Sequence, residues 1–449
     1  MNHDVCQSPV SLSTKEALDE WNKMVRANLA HSSVTPTHLG NVLRLEPDFA
    51  MGHAARGIFC LMMGRSELVR TAHECAVAAR AAFAKNPATE RERIWMAALD
   101  AWLSGKPVMA AELMESVLRL HPTDTLSAKV SHGILFILGD AQGMRRSVEN
   151  VLNAHDAEHP LRGYLLGCHA FCLEETGEYE QAESAGRAGL ELASDDAWGL
   201  HAVAHVYDMT ARPDLGIDLI EGNLKAWDHC NNFRYHVWWH KALLHLDRGE
   251  MDVALGLYDA QVRADKTDDY RDISNATSLL VRLELEGVDV GPRWGELADL
   301  AENRIDDGCV VFADLHYMLA LTGAQRETAQ EDMAARFARD AAQSGDMQQR
   351  YASPGQSALS GLNAFAEGRY EQAFADLVLA RPDMQSIGGS HAQRDVFERL
   401  TIDAGLRAGR YTETEALLLD RQKRRAGAAD RFTRTRMASI DDARRIPAQ

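Results

Sequence analysis

HVWWHKALLHLDRGEMDVALGLYD, residues 236–259, places three histidines and two tryptophans within its first ten positions. Gly249 marks a bend in this stretch. Trp238, Ala242 and His245 stand eleven, seven and four residues before it, and Ala254 and Tyr258 five and nine after it. Bulky, small and bulky positions followed by alanine and an aromatic are the tetratricopeptide pattern, a helical hairpin of about 34 residues. Small residues let two helices approach, and bulky ones fill the space between neighbours.

The pattern recurs. Gly105 has Ala98, Ala101, Ala110 and Met114 at matching offsets, Gly64 has Gly57, Gly177 has Ala170 and Ala182, and Gly368 has Gly361, Ala373 and Ala380. Weaker bends fall near Asp140, Ala211, Gly287, Ala324 and Gly409, so the markers stand 34 to 45 residues apart. Alternating strand-like runs are scarce. The expectation is an all-α chain: a tetratricopeptide-like α-solenoid of about ten helical hairpins curling around a concave central pocket. Residues 1–45 read as an N-terminal helical cap, 46–420 as the repeats, and 421–449 as a basic C-terminal helix or tail.

Composition narrows the function. The chain has 449 residues, 46% of them hydrophobic and 25% charged, with a formal net charge of −18. That charge argues against a nucleic-acid partner, whose binding depends on neutralising phosphates. The basic tail reads as a solvated helix end rather than a patch for an anionic partner. No run of about 18 apolar residues suggests a membrane span, and no secretory leader is evident. Seven scattered cysteines without a Cys-x-x-Cys pair suit a reduced, cytoplasmic setting.

Helical spacing then separates core from site. Trp238 and His245 take slots that face neighbouring helices. His236 and His240, four residues apart, share a face with Trp239 beside them. One hairpin earlier, in WGLHAVAHVYDM, Trp198, His201, His205 and Asp208 fall at the groove-facing offsets. Trp95 and Trp102 stand at groove offsets around Gly105. Two neighbouring helices thus carry two His-x-x-x-His pairs, an aspartate and two tryptophans toward one concavity.

These and other stretches resemble the tetratricopeptide repeat protein 38 family. They are EPDFAMGHA (46–54), HPTDTLSAKVSHG (121–133), HAVAHVYDM (201–209), 236–259, RLELEGVDVGPRW (282–294), FADLHYMLALTGA (312–324) and IGGSHAQRDVF (387–397). The resemblance runs through almost the whole chain. It implies an all-helical tetratricopeptide-like protein and no particular chemistry. Matching positions include His53, His132, His201, His205, His236, His240, Asp272, Asp314, His316, Arg394 and Asp395. Trp95 and His391 depart from the family's usual residue.

Three functions compete. In the first, the protein binds a small molecule or peptide end, with Trp198, Trp239 and Trp102 as walls and Asp272, Asp314, His316, Arg394 and Asp395 as polar contacts. In the second it is a hydrolase or lyase, with His201, His205, Asp208, His236 and His240 as the acid–base or metal-ligating set. A protein-interaction scaffold is third. The Lys/Asn/Arg clamp that other tetratricopeptide proteins use for a carboxylate is not present in these slots. No cofactor is favoured. A transition metal is compatible with i,i+4 histidines, but the His-Glu-x-x-His motif is absent, such pairs are common on helices and no fixed carboxylate ligand is evident from spacing, so no bound metal is expected. IGGSHAQRD reads equally as an anion-binding helix end with Arg394 or as a plain Ser390 cap with Arg394 and Asp395 in a surface pair. No phosphate loop, Gly-x-Ser-x-Gly elbow or dinucleotide fingerprint is present.

Overall fold

A computed structural model describes residues 2–445. They form helices, joined in antiparallel hairpins, apart from one short pair of strands, Asn2–His3 with Pro9–Val10. The all-α, tetratricopeptide-like reading holds. Among the described residues no helix is long and apolar enough to cross a membrane.

The bends stand where the small-residue markers placed them. Gly64, Gly105, Gly177, Gly249, Gly287, Gly368 and Gly409 all have positive φ, as do Gly139 beside Asp140 and Gln325 beside Ala324. A left-handed residue closes a helix by turning its last carbonyls toward the chain that follows, and glycine does this without a Cβ clash. Ala211 makes the same turn at φ 52° despite its Cβ. Helix starts are equally local. Thr89 and Glu92 form a reciprocal capping box, and the side chains of Asp124 and Asp140 accept from Ser127 N and Gly143 N. The small slots are close contacts: a Cβ on Gly57 would lie 2.7 Å from a Leu99 methyl.

The chain divides into two compact units. The first holds the residues up to Val203 with Asn223–Arg234 and Gly345–Met347. The second holds Ala204–Gly222, Tyr235–Ser344 and the chain from Gln348 onward. The boundary falls inside the continuous helix Ala197–Met209. In the first unit, Trp21, Phe49, Trp95 and Leu99 anchor the apolar core, with Trp102 half-buried against it. A second cluster there surrounds Phe171 and Trp198.

Asp196 starts that boundary helix, accepting from Trp198 N and Gly199 N at 3.2 and 3.1 Å. Burial lifts its carboxyl to about 7, against the opposing pull of Lys129. Its folded value thus exceeds the unfolded one, so this group's contribution to stability falls as pH rises from about 4 to 7. Asp196→Asn keeps a capping oxygen and removes the charge. The variant is expected to be more stable than the parent by about 1–3 kcal/mol at pH 8 and no more stable at pH 4. Urea titrations at the two pH values check this, and a gain equal at both overturns the assignment.

The second unit corrects two expectations. The basic tail is docked rather than solvated. Arg421 reaches Asp395, Asp430 and Thr433, and Arg436 reaches Glu286, the Leu285 carbonyl and Asp403. Phe432 and Ile440 pack beneath, on the helix Arg431–Arg445. In the helix Phe233–Asp247, the expectation of Trp238 and His245 in core slots is corrected. Trp238 and His245 are only half-buried, with Lys241 Nζ 5.1 Å from the Trp238 ring centroid and His245 Nδ1 2.6 Å from Glu250. His236, Trp239 and His240 are buried, because the helices Tyr270–Leu285 and His391–Arg407 send Asn275, Arg282 and Gln393 over that face.

Candidate histidine site

Helix geometry brings the histidines together. His236 and His240 lie one turn apart on Phe233–Asp247, and His205 comes from Ala197–Met209. These three each offer a ring nitrogen, all within 4.8 Å of one another. His236 Nε2 and His240 Nε2 are 3.1 Å apart, and the His205 and His240 ring centroids 4.4 Å. Trp239 stacks on His236 at 5.3 Å and meets His240 edge-on at 4.8 Å. The exposures are 0% for His205, 8% for His236, 2% for His240 and 0% for Trp239. The rings are thus in contact with one another.

Burial decides their charge. It pulls His236 down to about 3, with His205 adding to the shift. It holds His240 well below the usual histidine range, with His205 and His236 adding. Both rings are neutral at physiological pH and keep a lone pair.

A hydrogen-bond chain runs from His236 away from this centre. Asn275 Nδ2 lies 3.0 Å from His236 Nδ1, and Gln393 Nε2 donates to Asn275 Oδ1 at 3.1 Å. Gln393 also closes the capping box of its helix. Its Oε1 accepts from Ser390 N at 3.0 Å, and Ser390 Oγ accepts from Gln393 N at 3.3 Å. The Ser390 cap expected in one reading of IGGSHAQRD is formed. Nearby, the guanidinium of Arg282 is buried 5.5 Å from the Trp239 ring centroid. It donates to two backbone carbonyls, Ser278 O at 3.1 Å and Ala392 O at 2.6 Å, and burial draws it down to about 9.

Trp198 lies in the first unit's aromatic cluster, 4.6 Å from Phe171 and 5.0 Å from His201, with Lys129 Nζ 4.3 Å above its ring. His201 also stacks on Phe171 at 5.5 Å. It precedes His205 by one turn on the same helix face. Trp95 is core, bonded through Nε1 to Ser127 Oγ at 2.9 Å, and Trp102 packs against the same core. Asp208 is paired with Arg425 at 3.1 Å. Asp272 accepts from Thr267, and burial raises its carboxyl to about 7. Asp314 is held by Arg336 at 2.7 Å and by the Tyr351 hydroxyl, and burial raises it to about 6. His316 donates through Nδ1 to Phe312 O at 2.7 Å, and burial lowers it to about 3.

Arg394 and Asp395 line a separate cleft of about 320 Å³, together with Arg381, Arg421 and Arg425. Asp395 pairs there with Arg399 and Arg421 at 2.6 and 2.9 Å, rather than with Arg394.

Asn275, Arg282 and Gln393 were not anticipated. The run SNATS (274–278), all five residues buried, is an unusual set to bury on a helix and is the one signal that pointed to Asn275.

No family model matches the chain. It is similar to a solved structure of the human IFIT1 dimer with PPP-AAAA, at 14% identity over 97% of this chain and 96% of that chain, with a TM-score of 0.39. A structure of the human IFIT1 dimer with m7Gppp-AAAA is similar at 13% identity over 98% and 96%, with a TM-score of 0.37. Both likenesses are too distant to bear on the path of this chain or on what it binds.

Proposed function

We propose that this protein is a ligand-binding helical-repeat protein, related to the tetratricopeptide repeat protein 38 family, and that it binds a divalent transition-metal ion at His205, His236 and His240. One observation carries the reading: three imidazole nitrogens within 4.8 Å of one another, on buried rings. Zinc bonds imidazole at about 2.0–2.1 Å, which puts neighbouring ligand nitrogens roughly 3.3 Å apart in a tetrahedral site. The 3.1 Å between His236 and His240 is close to that spacing. Imidazole donors suit zinc, copper, nickel or iron better than magnesium or calcium, which take oxygen ligands.

The test uses protein purified without a histidine tag, incubated with zinc sulfate and dialysed. Elemental analysis is expected to find about one zinc per chain, absent from the His236→Ala/His240→Ala double variant. Cobalt(II) in its place is expected to give visible d–d bands. Zinc content equal in the parent and the double variant overturns the proposal.

A small molecule or peptide end is the second reading, favoured by the arginine-lined cleft. A hydrolase or lyase reading follows from the first if the ion keeps one coordination position for water.

A further inference from the structure

We infer that Asn275 and Gln393 set the ion affinity of the histidine site, by deciding which nitrogen of His236 carries its proton. The inference rests on the metal reading above and concerns the polarity of the hydrogen-bond chain behind His236.

That chain has one fixed end. Ser390 N–H can only donate, so the Gln393 atom 3.0 Å away must be its amide oxygen. The Gln393 amine then faces Asn275 at 3.1 Å, and Asn275 must meet it with oxygen. This turns the Asn275 amine toward His236 Nδ1, 3.0 Å away. An amide NH2 donates and does not accept. His236 Nδ1 therefore holds the lone pair, and the proton of the neutral ring sits on Nε2. From there it is donated to His240 Nε2 at 3.1 Å.

An ion needs the opposite arrangement. To bond through Nε2, neutral His236 must carry its proton on Nδ1 and give it to an acceptor. Asn275 must then turn its oxygen to His236 and its amine to Gln393. Gln393 must turn its oxygen to Asn275, which leaves its amine against Ser390 N–H, donor facing donor. Ion binding at His236 and half of the capping box on the helix His391–Arg407 thus compete. Partners behind a metal-bound histidine typically alter affinity about 10–100-fold.

Two substitutions remove the competition by different routes. Asn275→Asp supplies a carboxylate that accepts from both the Gln393 amine and a His236 Nδ1–H, so the capping box survives. Gln393→Glu accepts from Ser390 N–H and from the Asn275 amine, which turns the Asn275 oxygen to His236. Each is expected to tighten zinc binding about tenfold relative to the parent, read by competition with a chromophoric chelator. Asn275→Leu, which leaves His236 Nδ1 no acceptor, is expected to weaken it about tenfold or more. Melting curves identify any variant that fails to fold, and the two tightening variants stand on different helices.

The readouts separate this inference from the metal reading. Zinc binding by the parent, with neither Asn275→Asp nor Gln393→Glu tighter, overturns the inference and leaves the metal site standing. No zinc binding by the parent or by either variant overturns both. Histidine ¹⁵N shifts of the metal-free protein give an independent check. His236 is expected to be protonated at Nε2 in the parent and at Nδ1 in Gln393→Glu, and Nδ1–H in the parent overturns the inference.

Discussion

His240→Ala is expected to lower zinc affinity by about a hundredfold or more, whereas Ala242→Leu, two residues along the same helix, leaves it within a few-fold. Structural zinc sites bind with about 10–16 kcal/mol spread over four ligands, so one ligand is worth about 3 kcal/mol, or roughly two decades in Kd. Both positions are buried, at 2% and 0% exposure, so both changes should cost stability. Truncating His240 opens a hole against Trp239. Enlarging Ala242 overpacks a wholly buried position, at about 1–3 kcal/mol. Stability therefore does not distinguish the two residues, and ion affinity does. The measurement is a zinc titration of each folded variant beside its melting curve. An Ala242→Leu protein that is folded yet loses zinc as completely as His240→Ala would show that the histidines respond to general packing, not to ligation.

Arg91→Met is expected to be the most destabilising single change in the first unit, at about 3–5 kcal/mol. The Arg91 guanidinium is wholly buried and holds two wholly buried carboxylates. Its Nη1 lies 2.7 Å from Asp4, and its Nε and Nη2 lie 2.7 and 2.8 Å from the two oxygens of Asp124. Trp21 Nε1 adds a bond to Asp4 at 3.0 Å, and Asp124 caps the helix Thr125–Ile137 through Ser127 N at 3.1 Å. Removing the cation leaves both anions without a counter-charge in an apolar core.

The variant should also reverse a pH dependence. Burial pushes the Asp124 carboxyl up, but the adjacent Arg91 holds it below the usual carboxylate range. Its folded pKa lies below the unfolded one, so the stability it contributes is present at neutral pH and lost as pH falls through the folded value. Without Arg91, burial dominates and the folded pKa rises above the unfolded one. Arg91→Met should then lose stability as pH rises from about 4 to 7. Urea unfolding at pH 4.5 and pH 7, for parent and variant, reads the sign directly. A variant equally destabilised at both pH values overturns this account of the triad.

The helical hairpins were legible from residues alone because their determinants are local. A positive φ at Gly177, Gly249 or Gly368 is required within a few residues of each helix end, and no distant contact is needed to place it. The paired histidines were legible for the same reason, since residues four apart on a helix share a face wherever the helix goes. Which face is covered is a different matter. Trp238 and Trp239 are adjacent and chemically identical, yet one is half-buried and the other wholly buried. The choice was made by Asn275, Arg282 and Gln393, which arrive on other helices. Asn275 and Gln393 meet across 118 positions of chain, and Arg425 reaches Asp208 across 217. Neither pairing follows from any local period. Helix formation and face are set by neighbours within a turn or two. The partner of a buried charge or amide is set by whichever helix packs over it, and only the folded chain decides which helix that is.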